Sequence, residues 1–218
     1  MSAAHSWQEL PFHRTIMDAG LSVEFAALAS QKSIDDIIEH GDSEVRDFYN
    51  RSTVFVTGGT GFIGKQLVEK LFRSCDIMKL YMLIRPKKGK SIHERFDELL
   101  KDPLFESLHT NHSDFAKKII LIEGDVAALN LNVNGENRDI ITKEVEIIFH
   151  VGATVAFEKP LRSATFTNVR GTREVIELAK QCAQLRALVH VSTAYCHGTI
   201  SRRSSVVLEK FYPVPISP

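Results

Sequence analysis

Three glycines, Gly58, Gly61 and Gly64, follow directly on a β-branched and aromatic run, residues 53–57 (TVFVT), and an apolar helical pattern begins among them at Phe62. A strand, a tight turn and a helix start in that order leave helix-terminal N–H groups unpaired at the positive end of a dipole, and glycine lets an anion approach them closely. The chemistry that needs such a join is the binding of a diphosphate. Thr57, Thr60, Phe62 and Ile63 stand beside and between the glycines, which makes 57–64 the candidate cradle. Roughly 20 residues further on, where an acid would take the adenosine ribose hydroxyls of NAD, stands Arg85 instead, followed by Lys87, Lys88 and Lys90. Cations there, Arg85 and Lys88 among them, suit the extra 2′-phosphate of NADP and offer nothing to a bare diol. NADPH is therefore the expected cofactor; a solvated basic turn is the competing account.

Other reactive groups also follow apolar runs. Asp125 is placed to accept from an adenine amino group, with Val126 against the ring, although a turn-forming aspartate after Gly124 fits equally well. The small residues of Val151, Gly152 and Ala153 would let a cofactor backbone pass close, and a plain turn would also use Gly152. Ser192, Thr193 and Tyr195 come after the last apolar run. Hydride transfer to a carbonyl needs a proton donor and a hydroxyl on the developing oxyanion. Thr193 or Ser192 can be that hydroxyl; a hydroxyl-capped strand end is the alternative. His150 and His190 read as satisfied or sheet-end histidines, because no cysteine or carboxylate stands at ligand spacing, and no metal site is expected. Asn168 could bond a neighbouring backbone group or face solvent.

The elements that must position these groups are legible from periodicity. Strands are expected at 53–57, 79–84 (KLYMLI), 118–123 (KIILIE), 146–150 and 187–191 (ALVHV), and helices from Phe62 to about Ser74, from Ser91 to about Leu100, around 139–143, and from Leu161 to about Cys182. Ser91 with Glu94 forms a capping box, and Pro103 marks a break. Strands that are near-continuous apolar runs alternating with helices predict a doubly wound parallel sheet, Rossmann-like, covered on both faces. Residues 1–50 have another texture and read as a poorly ordered arm, with a short helix at 34–39 and a docking segment at 45–49; residues 51–218 form the dinucleotide domain.

With 27 basic and 27 acidic residues and 44% hydrophobic content in 218 residues, the chain is an ordinary globular protein with no global electrostatic case for nucleic acid. Cys75, Cys182 and Cys196 are odd in number and scattered, which favours a reducing compartment. No apolar run approaches the roughly 18 residues that span a bilayer. The sequence from 198 to the Pro-rich 213–218 loses all pattern, as though the fold were cut short there.

Taken together, 54–64 (VFVTGGTGFIG), 83–86 (LIRP), 123–126 (EGDV), 150–153 (HVGA), 168–172 (NVRGT) and 191–195 (VSTAY) resemble the extended short-chain dehydrogenase/reductases. More narrowly, 47–49 (DFY), 67–71 (LVEKL), 82–87 (MLIRPK) and 102–105 (DPLF) resemble eukaryotic fatty acyl-CoA reductases. The resemblance covers about 45–200. It implies reduction of a long-chain acyl-CoA to a fatty alcohol by NADPH, in two hydride transfers with an aldehyde between them. It also places the family's Ser/Thr position on Thr193, with Ser192 beside it, and implies work at peroxisomal or endoplasmic-reticulum membranes.

The family's Tyr-x-x-x-Lys pair is missing after the fifth strand: Tyr195 is followed four residues on by Thr199, and Tyr212 by Ile216. The chain thus resembles the cofactor half of such an enzyme and is expected to bind NADPH weakly and turn over nothing alone. A reductase of nucleotide sugars or sterols, or a non-catalytic dinucleotide-binding isoform that pairs with itself or with a complete relative, remain the alternatives.

Overall fold

The computed structural model describes residues 43–156 and 158–193. The expected helix at 34–39, Tyr195, Cys196, Tyr212 and the Pro-rich end lie outside the described residues. Within them, helix α1 (Glu44–Tyr49) leads into strand β1 (Thr53–Thr57), α2 (Phe62–Ser74), β2 (Lys79–Ile84) and α3 (Ile92–Leu100). There follow a short α4 (Glu106–Asn111), β3 (Ile119–Glu123), α5 (Gly135–Glu144) and β4 (Ile147–His150), then α6 (Leu161–Thr165) and α7 (Gly171–Ala179), joined by a π-helical segment (Phe166–Arg170), and β5 (Ala187–His190). All pairings are parallel, in the order β3-β2-β1-β4-β5. The doubly wound parallel sheet expected from the sequence is the fold.

Alternation along the strands divides the core between two faces. Val54, Val56, Leu80, Met82, Ile147 and Phe149 point to one, where α2 contributes Val68, Leu71 and Phe72 and α3 contributes Phe96 and Leu99. Phe48 and Tyr49 of α1 pack against the same cluster. Phe55, Tyr81, Leu83 and Ile148 point to the other, met by Ile141 of α5 and Val175 and Leu178 of α7. Coverage is complete over the inner strands β1, β2 and β4; at the two edges Ile120 of β3 and Leu188 and Val189 of β5 are exposed, so among the described residues full cover on both faces holds for the inner strands and not for the edges.

Periodicity reads short elements poorly. The sequence marks only a break at Pro103, where the chain makes a 3₁₀ turn (Pro103–Phe105) capped by Asp102 and then α4, whose anchor, Leu108, is too isolated to show a period. Helix α5 begins four residues before the expected start, because the Asn134 side chain accepts from Asn137 N–H and caps it. The Ser91–Glu94 capping box forms as expected.

Candidate functional site

A crevice of about 510 Å³ opens beside the carboxyl ends of β1 to β4. One end of its floor is the glycine turn. Gly58 has φ +74°, and a Cβ there would lie 2.6 Å from Gly152 N; a Cβ on Gly64 would lie 2.1 Å from Gly58 O. The turn is thus pressed between the β4 exit and the first turn of α2, a geometry that admits no side chain at either position. Gly61 caps α2 without a side-chain bond, which leaves the first N–H groups of that helix without an intrahelical acceptor. These features fit a diphosphate.

The structure gathers Gly58, Thr60, Gly61, Arg85, Asp125, Val126, Val151, Gly152 and Ala153 around the crevice, together with Lys87 and Arg95. Gly64 and Thr57 are buried behind it, and Phe62 and Ile63 are exposed at the start of α2 without lining it. Lys88 occupies the tip of a tight turn, with φ +54° beside Gly89 at +77°, closed by mutual backbone bonds between Lys87 and Lys90. That turn carries Lys88 off the crevice and leaves Lys87 on it. Ser192 and Thr193 are exposed just beyond β5 and do not line the crevice.

Arg95 is the residue that sequence reasoning missed. The capping box starts α3 so that Arg95 falls in its first turns, and from there its guanidinium donates to Thr60 Oγ1 at 3.1 Å and to Arg85 O. It ties the glycine turn to the β2 exit. Burial, and then the charge of Arg85, lower its proton affinity; an anion bound between the two guanidiniums would relieve that repulsion. The signal in sequence was the helix phase fixed by Ser91. Arg85 itself pairs with Asp125 at 3.2 Å.

Asp125 belongs to an unusual turn. Its Oδ1 accepts from Ala127 N–H at 2.9 Å, and its own N–H donates to Leu131 O at 2.8 Å. Asn130, Leu131 and Asn132 all have left-handed φ, of 50°, 57° and 51°. Such a residue costs about 1–2 kcal/mol, less for asparagine than for leucine; Leu131 is held there by complete burial in the core.

Behind the β4 exit runs a polar network. Gly152 N–H donates to Thr57 Oγ1 at 3.2 Å, and Thr57 lies 2.7 Å from His150 Nδ1; His150 Nε2 lies 3.2 Å from Thr172 Oγ1, whose hydroxyl donates to Asn168 O. The Thr172 hydroxyl spends its proton on Asn168 O and so accepts from His150, which assigns the imidazole proton to Nε2 and leaves Nδ1 to accept from the Thr57 hydroxyl. Asn168 then grips Thr154, accepting from its N–H at 2.8 Å and donating to its O at 3.0 Å. Of the two open accounts of Asn168, the backbone bond holds. The π-helical segment that carries it widens the helix at the site, where such segments often occur.

His150 is a satisfied core histidine, 2% exposed and stacked on His190 at 5.1 Å. Burial, and then His190, push its pKa down to about 4. The unfolded chain regains the ordinary value near 6.5 and so takes up a proton that the fold refuses. The resulting stability is complete above about pH 6.5 and is lost as pH falls towards about 4, a contribution of roughly 3 kcal/mol. Urea unfolding followed from pH 7.5 to 4.5 should show this decline, and His150→Gln should flatten it; an unchanged slope in that variant would assign the decline elsewhere.

Among the described residues no cluster of histidine, cysteine or acidic groups could hold a metal, and no helix is long and apolar enough to cross a membrane. A family described as male sterility protein, with an NAD-binding model, matches residues 56–215. Fatty acyl-CoA reductase wat of Drosophila melanogaster is 40% identical over 171 residues, covering 78% of this chain and 32% of that protein. Fatty acyl-CoA reductase 1 of Homo sapiens is 39% identical over 175 residues, covering 80% and 33%. The chain spans about a third of the length of these curated relatives. Among solved structures, the terminal R domain of the myxalamid PKS-NRPS pathway superposes with a TM-score of 0.54 at 32% identity, over 66% of this chain and 35% of that one. The reductase domain of a nonribosomal peptide synthetase from Mycobacterium tuberculosis gives 0.54 at 27% identity, over 69% and 35%.

Proposed function

Since the chain belongs to the male sterility protein family of NAD-binding reductases, we propose that it forms the NADPH-binding part of an enzyme that reduces long-chain fatty acyl-CoA to fatty alcohol. The observation that carries the proposal is the crevice itself. A glycine turn that admits no side chain stands at one end, and Arg85, Lys87 and Arg95 converge beside it where an NAD-specific site would present a carboxylate to the ribose. NADPH, when bound, supplies the hydride. The chain's own residues do the holding: the α2 N–H groups take the diphosphate, the cations take the 2′-phosphate, and Val126 and Gly152 form the walls. Ser192 and Thr193 are the proposed hydroxyls for the developing oxyanion, on the strength of their place after β5. The acyl-CoA substrate rests on the relatives that carry that name.

The test is a chimera in which residues 45–193 replace the matching third of a curated fatty acyl-CoA reductase. It should oxidise NADPH only when palmitoyl-CoA is added and should yield hexadecanol. A chimera that folds and binds NADPH but oxidises none of it when palmitoyl-CoA is added would contradict the proposal that this part serves an acyl-CoA reductase.

A further inference from the structure

The wall on which the adenine would lie is an irregular turn. Residues 124–132 leave β3, pass through the three left-handed residues and enter α5, a path that has no ladder of its own to hold it. Two side chains one helical turn apart supply the hold. The carboxylate of Glu174 on α7, 7% exposed, accepts from Asn130 N–H at 2.9 Å. Arg170, which ends the π-helical segment, donates from Nη2 to Ala127 O, with its guanidinium 4.0 Å from the centre of the Phe166 ring. Between them Gly171 lets the turn come close, since a Cβ there would lie 2.4 Å from Val126 Cγ1 and 2.7 Å from Val126 O. One helix face therefore grips both limbs of the turn, at 127 and at 130.

What is gripped reaches the ligand. Leu131 O accepts from Asp125 N–H, and the Asp125 carboxylate pairs with Arg85. Glu174 touches no part of the crevice, yet the bond it makes to Asn130 fixes the neighbouring carbonyl that anchors Asp125. We propose that Glu174, with Arg170 beside it, is a positioning residue for the adenosine half of the dinucleotide, holding the strained turn that presents Asp125 and Val126. The proposal rests on the dinucleotide assignment above and adds to it a determinant outside the crevice. The carboxylate also pairs with exposed Arg173 at 2.8 Å, so charge and hydrogen bonding must be tested apart.

The 218-residue chain is titrated with NADPH, 2′,5′-ADP and reduced nicotinamide mononucleotide. Glu174→Ala should weaken 2′,5′-ADP and NADPH about tenfold, the worth of one hydrogen bond to a charged group, and leave the mononucleotide unchanged. Glu174→Gln keeps an acceptor for Asn130 N–H and should stay within about threefold of the wild type. Glu174→Asp, too short by one methylene, should behave like the alanine variant and serves if that variant fails to fold. Full affinity for 2′,5′-ADP in the alanine or aspartate variant would overturn the proposal, as would an equal loss for the mononucleotide or a glutamine variant as impaired as alanine. A wild-type chain that binds none of the three ligands would overturn the dinucleotide assignment and this proposal together.

Discussion

Replacing Gly64 by alanine is expected to abolish measurable dinucleotide binding and to lower the melting temperature by roughly 5–10 °C. Helix propensity alone argues the other way, since Gly64 lies inside α2 and alanine is favoured there by about 1 kcal/mol. Sterics decide the sign. The added methyl would lie 2.1 Å from Gly58 O and 2.7 Å from Gly59 Cα, both backbone atoms that cannot rotate away. Either α2 or the turn must move, and overpacking of this kind costs about 1–3 kcal/mol or more. The displaced groups are the N–H donors meant for the diphosphate. Gly135→Ala is the control: nothing lies within 4 Å of a Cβ at that exposed position at the start of α5, so stability should hold or rise by a few tenths of a kcal/mol. Thermal melts and NADPH titration of the two variants check both statements; a Gly64→Ala protein that melts higher and binds normally would mean that the turn is not built as described.

Arg85→Asp should weaken NADPH about 100-fold while changing NADH by no more than about threefold, since the guanidinium serves a phosphate that NADH lacks. Arg85 is half exposed, so part of the effect will fade with added salt. The aspartate would also stand beside Asp125, adding repulsion to any phosphate placed between them. Equal losses for both cofactors would remove Arg85 from 2′-phosphate recognition and reduce its role to pairing with Asp125.

How much of this was written in the sequence depends on the length over which each signal is spread. The five strands are short apolar runs whose ends differ from expectation by a residue at most, and on β1, β2 and β4 burial on both faces keeps the composition apolar along the whole strand. The glycine turn was legible because its spacing and its flanks say the same thing. Arg95 was not, since a single cation on an amphipathic helix looks like any solvated face until the helix is packed and its phase is known. Lys88 and Lys87 could not be told apart from composition: the left-handed turn at Lys88 and Gly89 decides which of them faces the crevice, and the sequence offers only Gly89 as a hint. The left-handed run at Asn130 to Asn132 lay hidden in a polar stretch. A buried leucine at φ 57° follows from its burial in the core and from the Glu174 bond to Asn130 beside it, tertiary contacts that no local rule contains.

The crevice is the centre of the account, and the most direct measurement on it is a calorimetric titration of the 218-residue chain with NADPH and with NADH at one ionic strength. Convergence of Arg85, Lys87 and Arg95 beside the glycine turn predicts one NADPH bound per chain, at least about tenfold tighter than NADH. Equal affinities, or no heat with either, would contradict it.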